Sequence, residues 1–409
     1  MSYKKFDSSK ILKSENPFPS TRATSICNGT FIREIFGNYL FDIDVQTSVK
    51  CGLLKKLIEH YESSKESDGK YKPCHLLILA DYGQGKTLAL RYLQDKIHAT
   101  SYDVIISKSI SNEATIYLNN ENAYLQYVLK QLKEAYVELI NNYFPNKSSL
   151  LDNIKDTEEA QYQLMFFDNA FALIDTRVFI CLDELDKILE VNYPQGIEIN
   201  QKSFLEELKI IAECCKKSIS LWIAGTPQCI GVINQFGRDY KERFDTIMST
   251  FNEEDTIKYI NKKCTQKLKY IGYIPFTNDV KKEIFKYSYG KIRYVNSFCK
   301  DLWNISSDEK IKIDINKWKT YIKTKFEEPI KVLFGNNVRY SQIELLSKLI
   351  SKDKVSSIEI YLNKNLREKQ EIQNFIDKNI ENQNIVKIKR SYKLNSNIKE
   401  QLVNKVFGD

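Results

Sequence analysis

The stretch LLILADYGQGKTLAL, residues 76–90, places a glycine-containing turn, a lysine and a threonine after a short apolar run. Successive backbone N–H groups in such a turn can wrap a phosphate, while the lysine neutralises its charge and the threonine hydroxyl ligates Mg²⁺. The standard spacing G-x-x-x-x-G-K-[ST] begins with glycine, where this chain has Ala80. Alanine has the smallest side chain that could replace that glycine, so we expect a slightly reshaped loop that still binds a nucleotide. The predicted nucleotide-binding residues are Tyr82, Gly83, Gln84, Gly85, Lys86 and Thr87.

A pair of acidic residues, Asp183 and Glu184, follows the apolar run VFICL. If this run is a strand beside the one that leads into the turn, Asp183 can join Thr87 in holding Mg²⁺ and its water shell. Glu184 can then orient and polarise the water that attacks the γ-phosphate. The plainer interpretation is that the two carboxylates cap the following helix. The apolar strand in front of them favours the catalytic interpretation, with ATP and Mg²⁺ as cofactors.

Three more residues are candidates for contacts with the γ-phosphate. Thr226 ends the apolar run SISLWIAGT and would lie beside the phosphate if that strand were inserted between the other two. The alternative for Thr226 is an ordinary G-T-P turn. Arg243, in KERF, is predicted to reach the nucleotide of a neighbouring subunit, with Arg238 as the alternative. Arg293, in GKIR, is placed on a helix where it could contact the γ-phosphate of its own subunit.

These candidate residues need a scaffold that brings the ends of several strands together. Four apolar runs, HLLILA, SYDVIISKSI, RVFICLDE and SISLWIAGT, alternate with helical segments. Such alternation predicts an α/β fold with a parallel sheet covered by helices on both faces. The stretch 120–175 is strongly helical, and from about residue 252 a small helical bundle replaces the strands. The predicted domains are an N-terminal arm (1–35), an αβα ATPase domain (36–250), a helical lid domain (251–328) and a winged-helix domain (329–409).

The C-terminal segment contains three helix candidates followed by the alternating stretch NIVKIKRSYKLN, which is the order of a winged-helix domain. Residues 331–409 carry 15 Lys and Arg against 9 Asp and Glu, an excess that indicates a polyanionic partner. The third helix is expected to have an apolar stripe of Ile372, Phe375, Ile376 and Ile380. Double-stranded DNA is the favoured partner, and protein contact through the same unit is the alternative. The predicted DNA-contacting residues are Arg367, Lys369, Gln370, Gln373, Lys387, Lys389 and Arg390.

Composition restricts the other possibilities. Of 409 residues, 42% are hydrophobic and 28% charged, enough to bury cores in two or three domains. The nine cysteines include no C-x-x-C pair and are accompanied by only three histidines, which favours reduced, buried thiols over a metal site. The N-terminus has no apolar stretch of signal-peptide length, and no apolar run approaches a membrane span. A cytoplasmic protein without membrane association is therefore expected.

The motifs ADYGQGKT, ICLDELD, IAGT, ERF and GKIR resemble, in that order, the Walker A, Walker B, sensor-one, arginine-finger and sensor-two motifs of the AAA+ ATPases. The resemblance covers roughly residues 40–305. LDELDK and the G-x-x-R motif resemble origin recognition complex ATPases and archaeal replication initiators, whereas IAGTPQ resembles the transposition-regulator ATPases. Two departures are Ala80 and the helical stretch 120–175. This stretch is longer than a minimal AAA+ core needs and is interpreted as an insertion that could bind a partner protein or DNA.

The resemblance implies ATP hydrolysis coupled to self-association, because the nucleotide in this family lies between subunits. The favoured function is an ATPase that assembles on DNA under nucleotide control, in replication initiation, in a mobile element or in phage defence. The alternative is a signalling or scaffold NTPase that switches protein contacts without binding DNA. A third hypothesis is an ATPase subunit that serves a separate nuclease or transposase.

Overall fold

The computed structural model describes most of the chain between Leu53 and Phe407. The described residues are 53–64, 71–80, 84–87, 89–91, 93–94, 102–110, 114–154, 159–189, 197–227, 229–230, 233, 243–249, 251–267, 274–335, 339–352 and 354–407. They form two compact units, of which the first holds the described residues up to 249 and the second those from 251 onward. The predicted N-terminal arm, Tyr82, Gly83 and Arg238 lie outside the described residues.

The first unit is built on a five-stranded parallel sheet. Its strands are β1 (Leu76–Ala80), β2 (Val104–Ser109), β3 (Val178–Asp183), β4 (Ile219–Gly225) and β5 (Asp245–Ser249), in the spatial order β2-β3-β4-β1-β5. Every residue of β1, β3 and β4 is buried, which explains why these strands read as continuous apolar runs. Strand β4 pairs with both β1 and β3, so the predicted inserted strand is confirmed.

Helices flank this sheet. They are α1 (Leu53–Ser63), α2 (Ala114–Asn119), α3 (Ala123–Tyr143), α4 (Ala160–Leu173), α5 (Leu185–Leu189) and α6 (Ile197–Cys214), with a 3-10 helix at Pro145–Asn153. Side chains of α3 and α4, such as Val128 and Phe171, belong to the same buried core as Ile180 of β3. On the other side of β3, Phe179 contacts Tyr61 of α1, with ring centres 5.4 Å apart. The helical stretch 120–175 is therefore a structural layer of this unit.

A buried carboxylate connects α4 to the beginning of β4. Asp168, which is 3% exposed, accepts four backbone hydrogen bonds. Its Oδ2 accepts the N–H groups of Lys216 and Lys217 at 2.7 and 2.8 Å. Its Oδ1 accepts those of Ser218 and Ile219 at 2.8 and 2.9 Å. Hydrogen bonds to a carboxylate are among the stronger ones in proteins, so this side chain fixes the helical stretch to the strand.

The second unit begins with four helices, α7 (Glu253–Lys267), α8 (Asn278–Ser288), α9 (Ile292–Glu309) and α10 (Ile315–Phe334). Helix α10 runs through the expected domain boundary at 328/329 and is capped by Gly335. The φ angle of Gly335, +62°, is the left-handed conformation in which glycine commonly ends a helix.

The rest of the second unit is mixed helix and strand. It contains α11 (Tyr340–Ser351), β6 (Val355–Ser356), α12 (Ser357–Tyr361), α13 (Leu366–Glu381), β7 (Ile385–Ile388), β8 (Ser391–Leu394) and α14 (Ser396–Phe407). The three expected helices and the β7–β8 hairpin are present. The short strand β6, which pairs with β8, and the final helix α14 were not predicted.

Helix α13 packs through a stripe that includes one polar side chain. Ile372, Phe375 and Ile376 are buried as expected, whereas Ile380 is only half-buried and Asn379 is fully buried. The Asn379 amide donates a hydrogen bond to the Phe375 carbonyl oxygen at 2.8 Å, and its oxygen accepts one from Asn384 at 3.0 Å. Because these polar groups are hydrogen-bonded, an asparagine can occupy a core position. None of the described helices is long and apolar enough to span a lipid bilayer.

Candidate functional site

The turn after β1 has the geometry of a phosphate-binding loop. Gly85 has a φ of +82°, a region that glycine enters without strain. Lys86 and Thr87 follow it and are helical. Both Gln84 and Lys86 are buried, and Lys86 Nζ donates a hydrogen bond to the carbonyl oxygen of Ala80 at 2.6 Å. The ammonium group is therefore held across the turn, at the N-terminus of a helix, where anions bind in proteins.

Ala80 occupies the first position of the loop motif without requiring glycine. It is the last residue of β1, pairs with Ser249 of β5 and is fully buried. Its φ is not positive, unlike that of Gly85. Since its backbone belongs to the strand, an L-residue fits there, and the methyl group packs in the core. The departure from the standard motif thus has a structural explanation.

The central contact of the site joins this loop to β3. The Thr87 hydroxyl donates a hydrogen bond to Asp183 Oδ2 at 2.5 Å, although the two residues are 96 positions apart. The Asp183 Oδ1 accepts the backbone N–H of Glu184 at 2.9 Å. Burial raises the pKa of Asp183 above its ordinary value, and the Thr87 hydrogen bond opposes part of this rise. A hydroxyl and a carboxylate side by side are oxygen ligands of the kind that Mg²⁺ prefers, so these residues fit that ion.

Glu184 has an unusual backbone conformation at the end of β3. Its φ of +65° is uncommon for a residue with a side chain, and such strain is concentrated at functional sites. Its Oε2 accepts a hydrogen bond from Ser109 Oγ at 2.7 Å. Ser109 is the last residue of β2 and pairs with Asp183. Ser109 was not among the predicted site residues, and its only sequence signal is a hydroxyl at the end of an apolar strand.

Thr226 follows β4 at the same edge of the sheet. Gly225, the last residue of β4, pairs with Leu79 of β1, so Thr226 lies level with the start of the loop. The Thr226 carbonyl oxygen accepts the Cys229 N–H at 3.0 Å, and its hydroxyl is 3.8 Å from Cys229 Sγ. The turn that was the plainer alternative is therefore present. It still leaves a half-buried hydroxyl at the edge where the loop, Asp183 and Glu184 meet.

Arg243 lies at the opposite edge of the sheet. It precedes β5, whose first residue, Asp245, pairs with Leu76 at the start of β1. The loop follows the other end of β1, and a strand of five residues spans about 16 Å. Arg243 is 32% exposed and forms an ion pair with Glu213 of α6. It is too far from the loop of its own subunit to act there, so its predicted role requires a second subunit.

The remaining predicted residues belong to the second unit. Arg293 is half-buried in the first turn of α9, and its role stays a prediction. On α13, Lys369 and Gln370 are exposed. Arg367 is 88% exposed and lies 3.3 Å from Glu371 on the same helix.

Gln373 differs from these exposed residues because its side-chain amide is engaged inside the unit. The amide nitrogen donates a hydrogen bond to Asp377 at 2.6 Å, and the amide oxygen accepts one from the Tyr361 hydroxyl. These contacts favour a packing role for Gln373 over the predicted contact with DNA.

The β7–β8 hairpin presents three exposed cations, Lys387, Lys389 and Arg390. The turn is made by Lys389, with a φ of +54°, and Arg390. The Arg390 carbonyl oxygen accepts hydrogen bonds from the Ser357 N–H and hydroxyl at 2.9 and 3.1 Å. The backbone of the turn is thus anchored to α12 while its charged side chains face solvent.

Comparison with known proteins assigns the class of the first unit. Residues 71–233 match the family described as AAA domain, which is a family of P-loop ATPases. The strand order, the loop and the contact between Thr87 and Asp183 agree with this match. Residues 71–233 are therefore similar to an AAA domain, and the sheet of the first unit is consistent with that similarity.

No curated protein matches the chain. Similar solved structures include Cdc6p from Pyrobaculum aerophilum, 9% identical, with a TM-score of 0.38 and coverage of 86% of this chain and 92% of that one. ORC2 from Aeropyrum pernix, in ADPNP-ADP complexes, is 11% identical, with a TM-score of 0.40 and coverage of 87% of this chain and 93% of that one. AMPPCP-bound DnaA from Aquifex aeolicus is 14% identical, with a TM-score of 0.37 and coverage of 80% of this chain and 90% of that one.

Proposed function

We propose that this protein is an AAA+ ATPase that binds and hydrolyses ATP and, in its ATP-bound state, self-associates on double-stranded DNA. The observation that carries the proposal is the 2.5 Å contact between Thr87 and Asp183, which joins the phosphate loop to the acidic end of β3. Its support is the match of residues 71–233 to the AAA domain.

Each residue of the site has a chemical role in this proposal. Lys86 leaves the Ala80 carbonyl oxygen and neutralises the β- and γ-phosphates. Thr87 and Asp183 would hold Mg²⁺, which when bound supplies further neutralisation of phosphate charge. Glu184 orients the attacking water and accepts its proton, and Thr226 donates a hydrogen bond to the reacting phosphate or water.

The separation of Arg243 from the loop supports head-to-tail self-association. A residue that serves the nucleotide from the opposite edge of the sheet must come from a neighbouring subunit, and the contacting surfaces are then different on the two partners. Such an interface forms rings or helical filaments, both of which suit wrapping along a duplex. ATP bound between the subunits would couple nucleotide occupancy of the site to assembly of the oligomer.

The C-terminal part of the second unit supports the DNA component. We infer that α11, α12, α13 and the hairpin form a winged helix with α13 as the recognition helix. The exposed cations of α13 and the hairpin suit phosphate contacts, and Gln370 is exposed where a base edge could be read.

The assembly component is tested by sizing the Glu184→Gln protein with ATP, with and without duplex DNA. This variant should bind ATP, fail to hydrolyse it and accumulate as an oligomer whose yield rises with DNA. Lys86→Ala is the control that should stay monomeric under both conditions. Equal sizes of Glu184→Gln with and without ATP would refute nucleotide-controlled assembly.

The DNA component is tested by the salt dependence of duplex binding. Lys389→Ala should reduce the log–log salt slope by about one, because one phosphate contact is lost. Lys319→Ala, an exposed lysine on α10, is the matched control and should leave the slope unchanged. If the wild-type protein shows no salt-sensitive duplex binding with or without ATP, the DNA role is wrong.

A second function is favoured by one feature of the same unit. Ile358, Leu362 and Leu366 are 81%, 60% and 85% exposed around the start of α13. Exposed apolar side chains close in sequence are typical of protein contacts. If duplex binding is absent, we conclude that this unit binds a protein partner. The protein would then act in a scaffold or signalling role, or its partner would be a nuclease or transposase.

A further inference from the structure

A group of potential metal ligands lies at the amino edge of the β1–β5 pair. His60 of α1, Cys74 just before β1 and Asp245 at the start of β5 bring one nitrogen, one sulfur and one oxygen together. Cys74 Sγ is 3.5 Å from His60 Nδ1 and 3.5 Å from Asp245 Oδ2. All three ligand atoms lie within 4.8 Å of one another. The group is at the opposite end of β1 from the phosphate loop, so it is separate from the proposed ATPase site.

These separations agree with tetrahedral zinc. Zinc bonds of about 2.3 Å to sulfur and about 2.0–2.2 Å to nitrogen and oxygen place neighbouring ligand atoms about 3.5 Å apart. The two measured edges have that length, and the third, between His60 and Asp245, is within 4.8 Å. We propose that His60, Cys74 and Asp245 bind one zinc ion, with water as the fourth ligand.

The chemistry of the donor set selects the metal. Sulfur and imidazole ligands favour zinc and similar transition metals, whereas Mg²⁺ and Ca²⁺ prefer oxygen. Asp245 is exposed, which leaves room for the water ligand. These contacts disfavour a cysteine nucleophile. In a nucleophilic triad the carboxylate orients the imidazole, whereas here Asp245 contacts the thiol itself.

The position of Cys74 is fixed by its surroundings. Its backbone N–H donates to Ser220 Oγ at 3.0 Å, and its carbonyl oxygen accepts the indole N–H of Trp222 at 2.9 Å. Trp222 is fully buried in β4. The central ligand is therefore held in place before metal binds.

The protonation of Cys74 defines a measurable consequence. Burial, with the nearby Asp245 carboxylate, raises the pKa of Cys74 to about 12, while Lys72 opposes the rise. Zinc binds the thiolate form of cysteine, so metal binding at this site should be accompanied by release of a proton.

The experiment is a Co²⁺ titration of the reduced, nucleotide-free full chain, followed by Zn²⁺ competition and proton release. We expect one ion per chain, tetrahedral cobalt bands, a near-ultraviolet thiolate-to-cobalt charge-transfer band and their loss on adding Zn²⁺. Cys74→Ser should remove the charge-transfer band. Asp245→Asn should weaken affinity by at least about tenfold.

Two controls separate this site from other metal binding. Cys214→Ser alters another partly exposed thiol of the first unit and should keep the band. Asp183→Asn alters the predicted Mg²⁺ site and should keep it too, so the zinc proposal can fail or hold independently of the ATPase proposal. Circular dichroism checks the fold of each variant, and His60→Gln provides a second ligand test.

The proposal is overturned if no charge-transfer band forms, or if the band persists in Cys74→Ser. A normal affinity in both Asp245→Asn and His60→Gln would also overturn it. Cys74 would then be a thiol that is only hydrogen-bonded between the imidazole and the carboxylate.

Discussion

Replacing Arg243 by alanine should remove ATP turnover while leaving ATP binding by single subunits intact. Arg243 lies at the amino edge of the sheet, and the loop containing Lys86 follows the carboxyl end of β1. The two edges are about 16 Å apart along β1, so the arginine contributes nothing to its own site. An arginine supplied by a neighbour is worth about 10³–10⁵ in turnover.

The same geometry predicts complementation between two inactive variants. A Lys86→Ala subunit cannot bind ATP but retains its arginine, and an Arg243→Ala subunit has the reverse properties. Lys86→Ala subunits do not assemble through their own loop, but they can still present Arg243 to the ATP-bound loop of an Arg243→Ala subunit. Turnover should therefore recover in the mixture at these interfaces, which pair an intact loop with an intact arginine.

The assay is steady-state phosphate release from each variant alone and from the mixture, at a protein concentration where the wild type assembles. The ion pair between Arg243 and Glu213 is partly exposed and contributes only about 0–1 kcal/mol, so the variant should remain folded. Lys216→Ala, at the same edge, is the control and should retain turnover. A mixture no more active than its components would refute the shared site. Full activity of Arg243→Ala alone would assign the arginine that reaches the neighbouring subunit to Arg238, or would exclude a site shared between subunits.

Three further predictions concern single side chains of the first unit. Asp168→Asn should lower the free energy of unfolding by roughly 3–5 kcal/mol, because an NH₂ group then faces two N–H donors and two hydrogen bonds to a charged acceptor are lost. Denaturant unfolding against the exposed Asp152→Asn control measures this, and a loss below about 1 kcal/mol would contradict it. Asp183→Asn should raise the stability of nucleotide-free protein at neutral pH, because burial raises the pKa of Asp183 and so disfavours its carboxylate. This gain in the free energy of unfolding should be absent below about pH 4, where the carboxyl group is protonated in both the folded and the unfolded chain. It should widen as the pH rises through the folded pKa. Thermal unfolding measured across pH would contradict this prediction if it shows no gain at pH 7. Ser109→Ala should speed basal ATP hydrolysis by up to about tenfold at unchanged ATP affinity, since it frees the Glu184 oxygen from a hydrogen bond, and slower hydrolysis would be the contrary result.

Local patterns predicted the sheet of this protein well. Buried parallel strands have no polar face, so β1, β3 and β4 are recognisable as apolar runs with a turn at each end. Asp183 and Glu184 stand at the end of one such run, and Lys86 and Thr87 follow another after a short loop. Parallel strands present their carboxyl ends at one edge, so the convergence of these residues followed from the sequence once the strands were assigned.

Other features were beyond the reach of local patterns. The stretch 120–175 was interpreted as an insertion, whereas Asp168 and the aromatic residues of α3 and α4 fix it to the sheet. That role depends on four backbone N–H groups about fifty positions away, and no local pattern contains them. The extent of α10 was also not predicted, because this helix continues through Pro329 to Phe334.

The sequence by itself determined the chemistry that the ATPase site can perform, because residue types and their place after apolar strands set the donors, the acceptors and the charges. Only the tertiary structure decided which distant residues share a space. It placed Ser109 on Glu184, held Arg243 at the far edge of the sheet and gathered His60, Cys74 and Asp245 around one point. The physical reason is that strand pairing converts separations of tens to hundreds of residues into contacts of a few ångströms, and the register of that pairing is set by the whole packed core.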